Sequence, residues 1–321
     1  MLLLALVTGV GITTPGAARD PASPTPIRVP SELRRENERL EPSGVVWSAE
    51  LDRYLVVSDD TGTKGRKHRP WVFSMSRHGA FDSAPIVIRG IDELNDPEAI
   101  CAGPDGTFFL TTSHSENRKG RTEPARRMLL HLRLAGRALE VLGRLDLAAA
   151  RAPNGGGLLE IAGLDPAEGP DIEALAFHHG ALLIGFKAPL TSRGSAVILR
   201  LEGAPEALRT GRITAGSLTR FGEPALRATR AGASVGRGIS DLASLPDGSL
   251  VLLANSPKGM PGDGGGAMYW LKAGDSTAVL LHEFPGLKPE GVTLAEDGRG
   301  LVLVFDNDLR PPLWARWPLP H

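Results

Sequence analysis

EPSGVVWSAELDRYLVVSDD, residues 41–60, reads as an acid, an apolar run, a turn, a second apolar run and two further acids. A strand–turn–strand hairpin returns to the edge from which it started, so Glu41 and Asp59 belong at one edge of a sheet. Asp60 competes with Asp59 for that place, because a shift of one residue turns a side chain to the opposite face.

The pattern recurs four more times. Glu98-Ala-Ile-Cys runs to Ser113-His114, Glu173-Ala-Leu-Ala to Phe186-Lys187, Asp241-Leu-Ala-Ser to Asn255-Ser256, and Glu290-Gly-Val-Thr to Phe305-Asp306. Three of these hairpins turn on Asp-Gly (105–106, 247–248 and 297–298), a dipeptide suited to tight turns. The third uses His178-His179-Gly180, which places both histidines at the far edge as turn residues.

A second apolar pair follows each hairpin: WVFSM with APIVIR, RMLLHLRL with ALEVLGRL, AVILRL with GRITAGSLTRF, and AMYWLK with TAVLLHEF. The fifth repeat has only PPLWARW, and residues 26–29 supply its missing partner. The expected fold is therefore all-β: a β-propeller of five four-stranded blades, closed into a ring by an N-terminal strand. A sixth blade has room only in the leftover segments 148–171 and 221–238.

Composition agrees with many short strands and turns. The chain has 321 residues, 39 Gly and 26 Pro, with 41% hydrophobic residues. The formal net charge of −1 supplies no global field for nucleic acid or an anionic membrane. Cys101, the single cysteine, lies in an apolar run and reads as a small buried hydrophobe. Residues 1–19 read as a signal peptide or an N-terminal tail, 20–40 as a linker carrying the closing strand, and 41–321 as one propeller domain. The apolar part of the leader is short for a membrane span, and export would place the protein in the periplasm or outside the cell. The sequence leaves the oligomeric state open.

In a propeller the first strand of each blade lines the central channel, so Glu41, Glu98, Glu173, Asp241 and Glu290 should converge at one mouth. Like charges so placed raise one another's pKa or take up a cation. Oxygen ligands without Cys or His suit a hard divalent metal, Ca²⁺ before Mg²⁺. The second strands end at the same mouth with Asp59, His114, Lys187, Asn255 and Asp306. Asp59 and His114 are the candidates for proton transfer, and Lys187 for holding an anion. Cationic loops follow, and Arg118, Lys119 and Arg121 are candidates for gripping a small anionic substrate. Gly232-Ala-Ser-Val-Gly236 matches a nucleophile elbow only in letters, since its flanks are polar and no helix follows.

The segments DPEAICAGPDGTFFLTTSHSENRKGR and EPSGVVW…VVSDD resemble an uncharacterised bacterial propeller family related to the esterase-like phytase domain. More distantly the repeats are similar to gluconolactonase and strictosidine-synthase-like propellers. That resemblance implies a divalent metal in the channel, with Glu41, Glu98, Glu173, Asn255, Glu290 and Asp306 as ligand candidates. A cation held by carboxylates beneath a rim of Lys and Arg fits a metal-dependent hydrolase of a small anionic ester, a phosphoester or a lactone-type ester. The alternative is a non-enzymatic propeller that binds a ligand or protein partner and keeps Ca²⁺ for structure.

Overall fold

The structure, a computed structural model, describes residues 23–117, 119–151, 155–230, 233–256, 265–307 and 310–320, with backbone alone at 230 and 233. Residues 1–19, the segment read as a signal peptide or an N-terminal tail, lie outside the described residues. Twenty of the described strands fall into five blades of four, and four more form two short hairpins, Gly62–Thr63 with Arg66–Lys67 and Arg227–Arg230 with Ala233–Gly236. The inner strands are Pro42–Ser48, Pro97–Ala102, Asp171–His178, Gly238–Ser244 and Lys288–Leu294. Each pairs antiparallel with the second strand of its blade: Arg53–Ser58, Thr107–Thr112, Ala181–Ala188, Leu250–Asn255 and Gly300–Asp306. The inner strands pack in the cyclic order 1–2–3–4–5–1, which closes the ring.

Blade 5 receives its fourth strand from the other end of the chain. Thr25–Pro26 pairs with Leu313–Pro318, Thr25 opposite Trp314. The Ile27 N–H extends the contact by donating to Pro312 O at 2.7 Å. The closing strand thus starts one residue before the expected position. Blades 1 and 2 are also joined at their rims, because Ile86–Arg89 runs parallel to Ala138–Leu145 and merges the two into one eight-stranded sheet.

Among the described residues, neither leftover segment builds a sixth blade. Residues 148–171 carry a short helix, Leu158–Ala162, and residues 221–238 carry a two-stranded hairpin, Arg227–Arg230 with Ala233–Gly236. Ser234 therefore sits in a hairpin strand, while Gly232 lies outside the described residues. A helix at Ala204–Thr210, between the outer two strands of blade 3, is the element that the alternating pattern does not announce. Cys101 is 9% exposed, and burial pushes its thiol pKa up, as expected of a packing residue. No helix among the described residues is long and apolar enough to cross a membrane.

The core is a set of apolar clusters between neighbouring blades. One spans blades 2 and 3 around Phe109, Ile184 and Phe186, and another spans blades 4 and 5 around Leu253, Phe284 and Phe305. The inner strands of blades 5, 1 and 2 approach so closely that no Cβ fits at Gly44 or Gly291. A Cβ on Gly44 would lie 2.9 Å from Ala99 Cα, and one on Gly291 would lie 3.0 Å from Gly44 Cα. The corresponding residues in blades 2 and 3 are Ala99 and Ala174, so close packing accounts for the small residues.

Candidate functional site: an acidic channel mouth

Every inner strand begins with a β-bulge at the same place. The register slips between Pro42 and Gly44, Pro97 and Ala99, Ile172 and Ala174, Ile239 and Asp241, and Pro289 and Gly291. The unpaired residues are Ser43, Glu98, Glu173, Ser240 and Glu290. A bulge bends its strand and re-aims the extra side chain. At the mouth, this brings Glu98, Glu173 and Glu290 into electrostatic contact across blades.

The bulges set a frame that the letters alone misplace. Glu41 lies two residues before the bulge, in the position of Asp96, Asp171, Gly238 and Lys288. Asp241 lies one residue after it, in the place of the small residues Gly44 and Ala99. Its carboxylate accepts the Val292 N–H at 2.7 Å and is 1% exposed, so it staples blade 4 to blade 5. Serines at the bulge staple as well: Ser43 Oγ donates to Pro97 O at 2.5 Å and Ser240 Oγ to Pro289 O at 2.8 Å. Asn255 Nδ2 donates to the same Pro289 carbonyl at 3.0 Å.

The second strands contribute Asp59, Ser113, Lys187, Asn255 and Asp306 in matching positions. The Asp59 N–H donates to Glu41 O at 3.1 Å, so the opening hairpin does bring those two residues to one edge. His114 falls one residue beyond its blade's mouth position, Ser113. It has a positive φ of 59° and its ring is 2% exposed, with Nδ1 2.9 Å from Thr112 O. Burial pushes its pKa down to about 4, and the charged groups that act on it are Asp146 and Arg127 rather than mouth acids. Those two residues line a cleft of about 360 Å³ beside blade 2.

Among the described residues, an acidic cluster close enough to share one ion joins blades 1 and 2. Asp59, Asp96 and Glu98 each offer a carboxylate oxygen, all within 4.8 Å of one another. Burial, Asp59 and Asp96 together hold Glu98 well above the ordinary carboxylate pKa. Burial and the charges of Asp96, Glu290 and Glu41 do the same for Asp59, against an opposing pull from Lys187. Glu98 is 7% exposed, and among the described residues no hydrogen bond or ion pair reaches its carboxylate. Asp96 is held from behind by Arg126, whose Nη2 also reaches Ser115 Oγ at 2.9 Å and Ser113 Oγ at 3.1 Å.

Across the mouth the balance differs. Lys187 Nζ lies 2.6 Å from Glu173 Oε2 and 3.9 Å from Glu290 Oε1. Burial works to lower the lysine pKa, but Glu173, Glu290 and Asp171 outweigh it and keep the ammonium charged. Lys288 pairs with Asp306 at 3.3 Å, and Arg39 pairs with Glu41 at 2.5 Å. Lys119 and Arg121 are exposed in the loop after blade 2's second strand, where their backbone N–H groups bind Asn117 Oδ1. Arg118 lies outside the described residues. Two residues central to this arrangement, Asp96 and Arg126, are not among the candidates drawn from the repeats. Asp96 had a signal, since D-x-E recurs at 96–98 and 171–173.

No family model matches the chain, and no curated protein matches it. Solved structures with similar coordinates include a putative gluconolactonase at 12% identity and TM-score 0.41, covering 93% of this chain and 100% of that one. A putative oxidoreductase (glucose dehydrogenase) from Thermus thermophilus has 15% identity and TM-score 0.39, covering 88% and 97%. A chain of the nidogen–laminin complex has 13% identity and TM-score 0.42, covering 82% and 72%. At these scores the likenesses bear on neither activity nor ligand, and the propeller rests on the strand order itself.

Proposed function

We propose that the mouth binds one hard divalent cation at Asp59, Asp96 and Glu98, Ca²⁺ before Mg²⁺, and hydrolyses a small anionic ester there. The carrying observation is Glu98: a carboxylate 7% exposed, facing Asp59 and Asp96, with no cation of the described chain paired to it. Isolated buried carboxylates are unfavourable by several kcal/mol unless neutralised, so this corner demands a proton or a metal ion. Three carboxylate donors without nitrogen or sulfur fit a hard ion and leave coordination positions for solvent and substrate.

A bound divalent ion would polarise a phosphoryl or acyl oxygen. The protein's own groups supply the remainder. Glu290, open to the same mouth and held above the ordinary carboxylate range chiefly by burial, is placed to accept a proton from water and return it to the leaving oxygen. Asp59 shares that capacity when it is not engaged as a ligand. Arg126 orients Asp96, while Lys119 and Arg121, exposed in the loop that follows blade 2's second strand, would attract an arriving anion. The ester is a phosphoester or a lactone type, and the leader points to a periplasmic or secreted setting.

A second reading keeps the cation and removes the chemistry: a structural Ca²⁺ in a propeller that binds a ligand or a protein. The observation favouring it is His114, which is turned away from the mouth and bonded to Thr112 O. A panel of aryl phosphates and lactones assayed with Ca²⁺, Mg²⁺ or chelator separates the two. Chelator-sensitive turnover that disappears in Glu98→Gln supports the hydrolase. Ca²⁺ binding with no turnover on any member of the panel supports the structural ion.

A further inference from the structure

We propose that Lys187 is a built-in second cation: its fixed ammonium, paired with Glu173 and within reach of Glu290, takes the place of a second metal and thereby limits the mouth to a single divalent ion at the Asp59–Asp96–Glu98 corner. The inference rests on the cation reading above and assigns the other half of the site.

The argument begins with position. Counted from the bulge, Lys187 follows Phe186 as Asp59 follows Ser58 and Asp306 follows Phe305, and a second register slip in blade 3, which sets Ala188 opposite Asp171, leaves Lys187 unpaired in the strand ladder. Blade 3 thus puts a cation where two other blades put acids. Its Nζ contacts its own blade's Glu173 at 2.6 Å and approaches Glu290 of blade 5 at 3.9 Å. Blade 4, which separates the two, stays out of the way. It presents Gly238 where other blades carry Glu41, Asp96, Asp171 and Lys288, and a Cβ there would lie 1.9 Å from Lys187 O. The glycine therefore lets the end of blade 3's second strand sit against blade 4.

Charge completes the case. Glu173 is 6% exposed and flanked by Asp171 and Glu290, a surrounding as acidic as that of Glu98. The two halves differ in where their cations sit. Lys187 is in direct contact with Glu173 and faces Glu290. Among the described residues, Arg126 pairs with Asp96 alone and leaves Glu98 and Asp59 without a paired cation, the field of Lys187 reaching those two only from a distance. An ammonium on a short tether cannot be diluted away, whereas a second divalent ion would have to displace it from a carboxylate pair. Two-ion hydrolytic centres hold their metals roughly 3.5–4 Å apart. Here the second positive charge facing a substrate is the lysine, which makes the centre one metal ion plus one ammonium.

Calcium titration of the full-length protein, by calorimetry and by elemental analysis after dialysis, tests this. Wild type and Lys187→Arg are expected to bind one Ca²⁺. Lys187→Met is expected to bind two, the second being lost when Glu290→Gln is added. One ion in a folded Lys187→Met overturns the inference and leaves the cation site standing. No ion in wild type overturns both. Should Lys187→Met not fold, the Glu173→Gln/Glu290→Gln variant decides instead: it retains one ion if the inference holds, and loss of that ion places the metal on the lysine's side and refutes it.

Discussion

Glu98→Gln should raise the melting temperature of chelator-treated protein at pH 8 while removing most of its response to calcium. In the folded state Glu98 holds its proton above the usual value of 4.5, because burial and the charges of Asp59 and Asp96 oppose ionisation. Between that value and the higher folded-state pKa, the native protein binds more protons than the unfolded chain. Stability of the metal-free protein therefore falls as pH rises through this window and recovers on acidification. Gln carries no such charge, so the variant should show a flatter pH dependence. Calcium at about 100 times its Kd should stabilise wild type by about 2.7 kcal/mol. At roughly 2 °C per kcal/mol for a chain of this size, that is a rise of about 5 °C. If loss of one carboxylate ligand weakens affinity about 100-fold, the same calcium yields about 0.4 kcal/mol, a rise of about 1 °C. Differential scanning fluorimetry from pH 5 to 8, with chelator or calcium, reads all of these quantities. Identical curves for wild type and variant in chelator, with equal calcium shifts, would refute the reasoning.

Arg126→Ala should weaken calcium binding about tenfold through the loss of Asp96's orienting partner, measured by calorimetry, with the fold retained by circular dichroism. Gly44→Ala should destabilise the ring by about 1–3 kcal/mol in urea unfolding, as expected of overpacking, because its Cβ meets Ala99 Cα at 2.9 Å. His114→Asn should leave calcium stoichiometry and the pH dependence of any turnover unchanged. Asn accepts the positive φ of that position, and a histidine with its pKa pushed down to about 4 stays neutral through the physiological range. A lost limb in the pH profile would return His114 to the chemistry.

The five hairpins and the closing strand were legible because each carries its own evidence: apolar alternation, Asp-Gly turns, and a fifth repeat short by one strand. The mouth was legible only in part. Glu98, Glu173 and Glu290 share a true structural position, but Glu41 and Asp241 entered the same column because an acid at a strand start looks alike two residues early or one residue late. A bulge leaves no mark in composition, and its extra residue shifts every later side chain by one step. The same single step separates Ser113, at the mouth, from His114, which faces away from it. The sequence marks Lys187 as a cation in the channel, yet its partners lie in blades 3 and 5 and are separated by more than a hundred residues. Distances across a ring are set by blade packing, which no local stretch encodes. Asp96 carried the recurrent D-x-E spacing and a turn position with φ of 60°, and only the spacing is written in the letters.

Calorimetric titration of chelator-stripped protein with Ca²⁺, wild type beside Asp96→Asn/Glu98→Gln, addresses the central claim most directly. A single saturable site in wild type that vanishes in the double variant is the predicted result. Wild type that takes up no calcium at millimolar concentration, or a double variant that keeps wild-type affinity, would contradict a metal centre at Asp59, Asp96 and Glu98.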